Sequence, residues 1–177
     1  MTSDPEGPTG DGAARLTHVD PEGGVRMVDV GDKAVTARRA VASGWIRMRP
    51  ETLALIRVNG FRKGDVLATA RIAGVMAAKR TAELIPLCHP LLLDDVQVAA
   101  TEDDGLPGVR VTAEIRTTGR TGAEMEAMTA VGVALLTIYD MAKGADRAME
   151  IGGIVLEAKS GGRGGPYARV AGMPPAP

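Results

Sequence analysis

From Ala127 to Tyr139 the chain carries no charged residue; the run then ends in Asp140, with Lys143 three positions further on. The whole stretch, Gly122–Gly144, reads GAEMEAMTAVGVALLTIYDMAKG and places apolar residues almost all round a helical cylinder. A helix of that kind has to be buried on every side, in a core or between subunits, so the fold must be built around it. Ala127, Ala130, Gly132 and Ala134 are small enough to let another helix approach closely, which points to a homo-oligomer. An acid at the end of such a helix is costly to bury unless it is paired. Asp140 and Lys143, three apart, share a helical face. Two readings follow. The pair closes the last turn, with Lys143 favoured by the helix dipole. Alternatively, an acid and an amine in a partly dry place have shifted pKa values and exchange protons with a substrate.

The 177 residues suffice for one domain with a substantial core. Residues 1–15 and 161–177 are rich in Gly and Pro and are expected to be flexible tails, leaving 16–160 as the folded unit. A net charge of -1 argues against nucleic acid as a partner. Trp45, Phe61, Tyr139 and Tyr167 are the only aromatic residues, too few for base-stacking platforms. Cys88 is the single cysteine and His18 and His89 are the only histidines, so neither a disulfide nor a Cys-rich zinc site can be assembled within the chain. No signal segment opens the sequence, and the longest uncharged run is shorter than the ~18 residues of a membrane span. The expectation is a cytoplasmic protein that binds no membrane.

Periodicity predicts a strand over Ala34–Met48, with Val35, Ala37, Val41 and Trp45 on one face. Pro50 opens a short helix that stops at Asn59-Gly60. Lys63–Leu84 reads as one helix, ended by Pro86. A hairpin follows, Asp95–Thr101 and Val109–Thr117, joined through Asp104-Gly105 and Pro107. The second of these strands puts Val109, Val111, Ala113 and Ile115 on one face and Arg110, Thr112, Glu114 and Arg116 on the other. After the long helix comes a last strand, Met149–Lys159. Strand, helices, strand, strand, helix, strand is the split β-α-β order, so the predicted class is α+β, ferredoxin-like, an antiparallel sheet with helices packed on one face.

Several shorter segments carry chemistry, each beside a plainer reading. Two prolines fix the backbone of LIPLCHP, Leu84–Pro90; this either ends a helix over a buried thiol or presents His89 to an anionic or heterocyclic ligand. Lys63-Gly64-Asp65 at a helix start either caps it or attracts phosphate. Lys79-Arg80 and Arg38-Arg39 either serve a dipole and a solvated strand or add cations to a site. Lys159–Gly165, KSGGRGG, is a loose chain end or a wrap for phosphate, and it lacks the P-loop order. Glu124 and Glu126, two apart, do not share a helix face.

Taken together, these segments resemble the cyclic pyranopterin monophosphate synthase family of molybdenum-cofactor biosynthesis. The resemblance runs from Leu16 to about Gly165. It is carried by MVDV (Met27–Val30) with Lys33, by KGDVLATARIAGVMAAKRTAELIPLCHP (Lys63–Pro90), by TGRTGAEMEAMTA (Thr118–Ala130), by LTIYDMAK (Leu136–Lys143) and by AKSGG (Ala158–Gly162). Val75, Ala123 and Met128 are conservative departures, and Gly164 stands where the family pattern has serine.

The resemblance implies a ferredoxin-like fold, a homohexamer built as a trimer of dimers, and active sites between subunits. It implies conversion of the small-molecule substrate 3′,8-cyclo-7,8-dihydroguanosine 5′-triphosphate into cyclic pyranopterin monophosphate and pyrophosphate, a phosphorus–oxygen lyase reaction. By the same resemblance Asp140 is the catalytic acid/base, assisted by Lys63 and Lys143. Leu87, Cys88, His89, Met125 and Glu126 line the substrate site, Glu126 or Glu124 reads the guanine edge, and Asp29 belongs to the motif. Lys33, Arg38, Lys63, Lys79 and Lys159 are the cations a triphosphate demands. No cofactor is required; Mg2+ is admitted as a companion of the triphosphate, since no carboxylate cluster has the spacing of a dedicated metal site. A regulatory anion-binding module would need the cations but not an acid beside an amine, and an RNA-binding domain would need aromatic residues on the sheet.

Overall fold

The computed structural model describes residues 26–170. The expected N-terminal tail, residues 1–15, lies outside them, as do residues 171–177. Strand β1 (Thr36–Arg47) is the spine of the sheet. Its buried face carries Ala40, Ala42, Gly44 and Ile46, not the face with Val35, Val41 and Trp45 that hydrophobicity favours. Small residues win there because a helix lies directly on them. A Cβ at Gly44 would stand 2.9 Å from Leu135 Cδ1 and from Val131 Cγ1.

Pro50 opens α1 (Pro50–Arg57), where its missing N–H is no loss, and Asn59, with φ 49, turns the chain out of it. Asp65 caps α2 (Val66–Ala78) by accepting from Ala68 N at 2.9 Å. The single helix expected over Lys63–Leu84 is in fact two, because the chain leaves helical geometry at Arg80 before α3 (Thr81–Leu84). The buried Thr81 hydroxyl donates to Ala78 O at 3.1 Å and to Ala77 O at 3.3 Å, so its own polar group is satisfied at the end of α2.

Strands β2 (Asp95–Asp103) and β3 (Gly108–Gly119) form the expected hairpin, its turn held by Asp103 Oδ1 accepting from Gly105 N and Leu106 N. Then come α4 (Glu124–Ala142), β4 (Glu150–Ser160) and β5 (Tyr167–Ala168). The sheet order is β2-β3-β1-β4-β5, every pairing antiparallel. Register sets Ala40 opposite Ile115, Ala42 opposite Ala113 and Ile46 opposite Val109, so one face is continuous core. The opposite face is polar along β3, where Arg39 and Arg116 both pair with Glu114. The arrangement is α+β, with helices against the apolar face. The order of its first four strands is compatible with the ferredoxin-like plan.

Two expectations change. The stretch from Gly161 was expected to be tail, yet Gly161, Gly162 and Gly165 take positive φ and turn the chain back. Tyr167 then pairs with Lys159 as β5, and Arg169 N donates to Glu157 O at 2.7 Å. The small residues of α4 were expected to admit a helix of another copy. Ala127, Ala130 and Ala134 are instead fully buried within this chain, and at Ala130 the helix lying against α4 is the chain's own α2. Helix α4 is long and apolar enough by composition to cross a membrane, but half of that window, 50%, is buried inside the chain. Leu136, Ile72 and Met76 remain exposed on the helical layer.

The closest approach of the two helices is testable. A Cβ at Gly74 would lie 3.0 Å from Ala130 O and 3.1 Å from Val98 Cγ1. Gly74→Val should lower stability by about 1–3 kcal/mol through overpacking, read as a fall in the denaturant midpoint. An unchanged midpoint would mean that α2 and α4 are not in contact there.

Candidate active site

Helices α2 and α4 run antiparallel, and this places the sequence motifs at two opposite ends of the pair. At one end, the turn Phe61–Gly64 brings Lys63 beside the last turn of α4. Lys63 Nζ donates to Asp140 Oδ2 at 2.8 Å and to Asp140 O at 3.0 Å. Lys143 Nζ stands 2.7 Å from Asp140 Oδ1. The carboxylate is clasped by an amine on each oxygen. Lys143 first, then Lys63, holds its pKa down to about 2, and Lys143 is raised in turn. Asp140 is therefore an ionised acceptor at neutral pH. Both parts of this cluster are exposed in the single chain, Asp140 to 57% and each lysine to 52%, so the partly dry setting expected from the sequence is not met within one chain. A cavity of about 340 Å³ adjoins the cluster, lined also by Tyr139, Gly144 and Arg147.

At the other end, the segment after α3 meets the first turn of α4. Leu87, Cys88, His89, Glu124, Met125 and Glu126 line a cavity of about 750 Å³ together with Lys33, Lys159, Val28 and Val30. Glu126 is 4% exposed. Burial foremost, with a smaller push from Glu124, raises its pKa to about 7. Burial and then Glu126 push the Cys88 thiol up, so the thiol is not an activated nucleophile. Glu124 accepts from Lys159 Nζ at 2.9 Å, which leaves these two mutually neutralised. One end thus holds an acid forced to ionise and the other an acid held near its protonation midpoint.

A third cavity, of about 560 Å³, shares Lys33, Thr121 and Gly122 with this one and adds Arg38, Arg120 and Arg163. Arg38 donates from Nε to Gly119 O at 3.0 Å and from Nη2 to Arg120 O at 3.1 Å. Arg120 Nη1 donates to Gly31 O at 2.7 Å, and Asp29 Oδ1 accepts from Gly31 N at 2.8 Å. Asp29 therefore shapes the turn that presents Lys33 and lines none of these three cavities. Lys79, at the C-terminal cap of α2, is exposed and lines none of these three cavities. Arg120 and Arg147 line cavities without having been singled out from the sequence; Arg120 lay inside a motif, while Arg147 falls between the motifs Leu136–Lys143 and Ala158–Gly162. Among the described residues no group of three or more His, Cys, Asp or Glu is placed to hold a metal ion.

Asp140 and Glu126 are fourteen positions apart on one helix, roughly 21 Å along its axis at 1.5 Å per residue. The two clusters line separate cavities that share no residue.

Residues 27–162 match the MoaC family. The chain belongs to that family. It is 64% identical to the cyclic pyranopterin monophosphate synthase of Methylobacterium sp. (strain 4-46) over 155 residues, 88% of this chain and 97% of that protein. It is 59% identical to the synthase of the same name from Brucella ovis over 156 residues, 88% of this chain and 94% of the relative. The resemblance carried by the motifs is thus kinship along most of the chain, and the two ends of the helix pair are parts of a family enzyme.

The buried acid gives a pH signature. The folded pKa of Glu126 lies above the unfolded value, so the protonated form is favoured by folding. Its contribution is intact below about pH 4.5 and is lost as pH rises through about 7. The stability of Glu126→Gln minus that of the natural protein should therefore grow between those limits and level off above them. Denaturant titrations across that range check this; a difference that stays flat with pH would mean that Glu126 ionises freely in the fold.

Proposed function

We propose that this chain converts 3′,8-cyclo-7,8-dihydroguanosine 5′-triphosphate into cyclic pyranopterin monophosphate with release of pyrophosphate, as a step of molybdenum-cofactor biosynthesis. The observation that carries the reading is the Lys63–Asp140–Lys143 cluster in a chain of this family. Opening and rebuilding a purine ring requires protons to be moved onto and off nitrogen and carbon, which is work for a positioned acid–base set. Asp140 accepts, and Lys63 and Lys143 donate. The base is bound in the larger cavity, where Glu126 can offer a proton or a lone pair to the guanine edge, beside His89, Leu87, Cys88 and Met125. Lys33 and Arg38 supply charge for the triphosphate, and Lys159 joins them by exchanging Glu124 for phosphate oxygen. Lys79, outside these cavities, and Asp29, a turn-former, have no direct contact in this reading. No resident cofactor enters it; a divalent cation arriving on the triphosphate belongs to the substrate.

The two ends of the α2–α4 pair favour a site shared between subunits. One copy provides Lys63, Asp140 and Lys143, and a neighbouring copy provides the cavity with His89 and Glu126. A homohexamer, a trimer of dimers, satisfies every such half-site. The exposed Leu136, Ile72 and Met76 are consistent with contacts of that kind. A neighbour covering the cluster would also supply the drier surroundings that the single chain lacks. We place the enzyme in the cytoplasm, in keeping with its single cysteine.

Asp140→Asn keeps the shape and removes the titrating carboxylate. The single-turnover rate should fall by about 10²–10⁴-fold while the substrate still binds. A variant that loses thermal stability but keeps its rate per folded enzyme would make Asp140 merely the partner of its lysines. Sharing is tested separately by co-expressing Asp140→Asn with His89→Ala. Mixed assemblies should regain activity above the sum of the two parents, because some sites then combine two intact halves. No gain on mixing would place the whole site in one chain.

A further inference from the structure

The cluster at the end of α4 contains a cation that the reading above leaves unused. Arg147 lines the cavity of Lys63, Asp140 and Lys143, yet the only carboxylate there is already taken by the two lysines. The neighbouring carboxylate, Asp146, points elsewhere. It is 3% exposed, and its Oδ2 accepts from Arg49 N at 2.9 Å. Arg147 itself is exposed, and among the described residues its guanidinium has no ion-pair partner.

Its backbone, by contrast, is held on both sides. Tyr139 Oη donates to Arg147 O at 3.2 Å. Asp146 Oδ1 accepts from Ala148 N at 3.0 Å, and Asp146 N donates to Ala142 O at 3.1 Å. The turn after α4 is thereby tied to the helix behind it and, through Asp146, to the start of α1. An exposed cation on a fixed base, beside a cavity whose one carboxylate is already engaged by two lysines, is arranged for an anion that arrives from outside. A planar guanidinium matches the paired oxygens of a phosphoryl group.

We propose that Arg147 contacts the substrate, binding the phosphoryl oxygens of the departing pyrophosphate. The assignment rests on the function proposed above. In the closing step a hydroxyl oxygen of the substrate bonds to the α-phosphorus and loses its proton to a base. The bond from the α-phosphorus to the bridging oxygen breaks, and its electron pair leaves with pyrophosphate. Negative charge accumulates on that leaving group. Lys63 and Lys143 are engaged with Asp140, and Arg147 is the cation of the cluster that is free to meet it.

Arg147→Ala and Arg147→Lys test this beside the unaltered enzyme, with pyrophosphate release and melting temperature measured on the same preparations. The single-turnover rate of Arg147→Ala should fall on the order of 10²-fold, as for removal of one donor to a developing oxyanion. Inhibition by added inorganic pyrophosphate should weaken about tenfold or more. Arg147→Lys should recover part of both effects, since it restores the charge without the fork. An unchanged rate, a fall that vanishes when expressed per folded protein, or undiminished pyrophosphate inhibition in Arg147→Ala overturns the assignment. If the unaltered enzyme fails to release pyrophosphate from the cyclised substrate, the proposed function fails. Pyrophosphate binding by the unaltered enzyme and by Arg147→Ala still judges Arg147 in that case.

Discussion

Helix α4 lies between the sheet and α2, and the distance available to it is set by residues without bulk. Ala40, Ala42 and Gly44 on β1 let it lie flat on the sheet, while Gly74 on α2 meets the carbonyl of Ala130. Leu135 and Ile138 then fill the space between the layers. Most of the molecule follows from this contact. The crossing fixes α2 antiparallel to α4, and the chain entering α2 must pass the C-terminal end of α4. The chain leaving α3 must likewise pass its N-terminal end. The positions of Lys63 and of the Leu87–His89 turn are consequences of how two helices pack.

The antiparallel pair separates two kinds of electrostatics. At the exposed end, paired amines stabilise a carboxylate, and its pKa falls to about 2. At the enclosed end, burial without a cation on Glu126 raises its carboxyl to about 7. Environment gives two acids of one helix opposite protonation habits, the arrangement by which acid and base roles are kept apart. Beside the enclosed end, Lys33, Arg38, Arg120 and Arg163 surround a further cavity, with glycines leaving the backbone open there. Cations, a carboxyl near its protonation midpoint and a fully ionised carboxylate are thus all present on the chain, in separate cavities.

Much of the fold was legible in the sequence because it is repeated locally. The alternation of Val109, Val111, Ala113 and Ile115 against Arg110, Thr112, Glu114 and Arg116 is a direct image of a half-buried strand, and β3 carries it as read. Pro50, the Asp104-Gly105 turn and the all-round apolar run of α4 are equally local. The misreadings have different causes. The buried face of β1 is set by a helix distant in sequence, whereas the break between α2 and α3 and the return of the chain as β5 are local events that helical periodicity and glycine content do not announce. Hydrophobicity could not reveal that Gly44 and Ala42 are more useful under a helix than Val41.

By itself the sequence determined which chemical groups exist and in what order: the acid at the helix end, the amine three residues on, the rigid Cys88-His89 turn and the glycines after Lys159. Kinship to the MoaC family was written in those ordered motifs. Only the tertiary structure decided that Lys63 clasps Asp140 across 77 positions, that Lys159 neutralises Glu124, and that Glu126 is shielded from water while Asp140 is not. It also decided that Asp29 spends its carboxylate on a turn and that Arg147 keeps its charge unpaired within the cluster. The reason is physical: pKa and pairing depend on distances through space and on access to water, and these are set by packing.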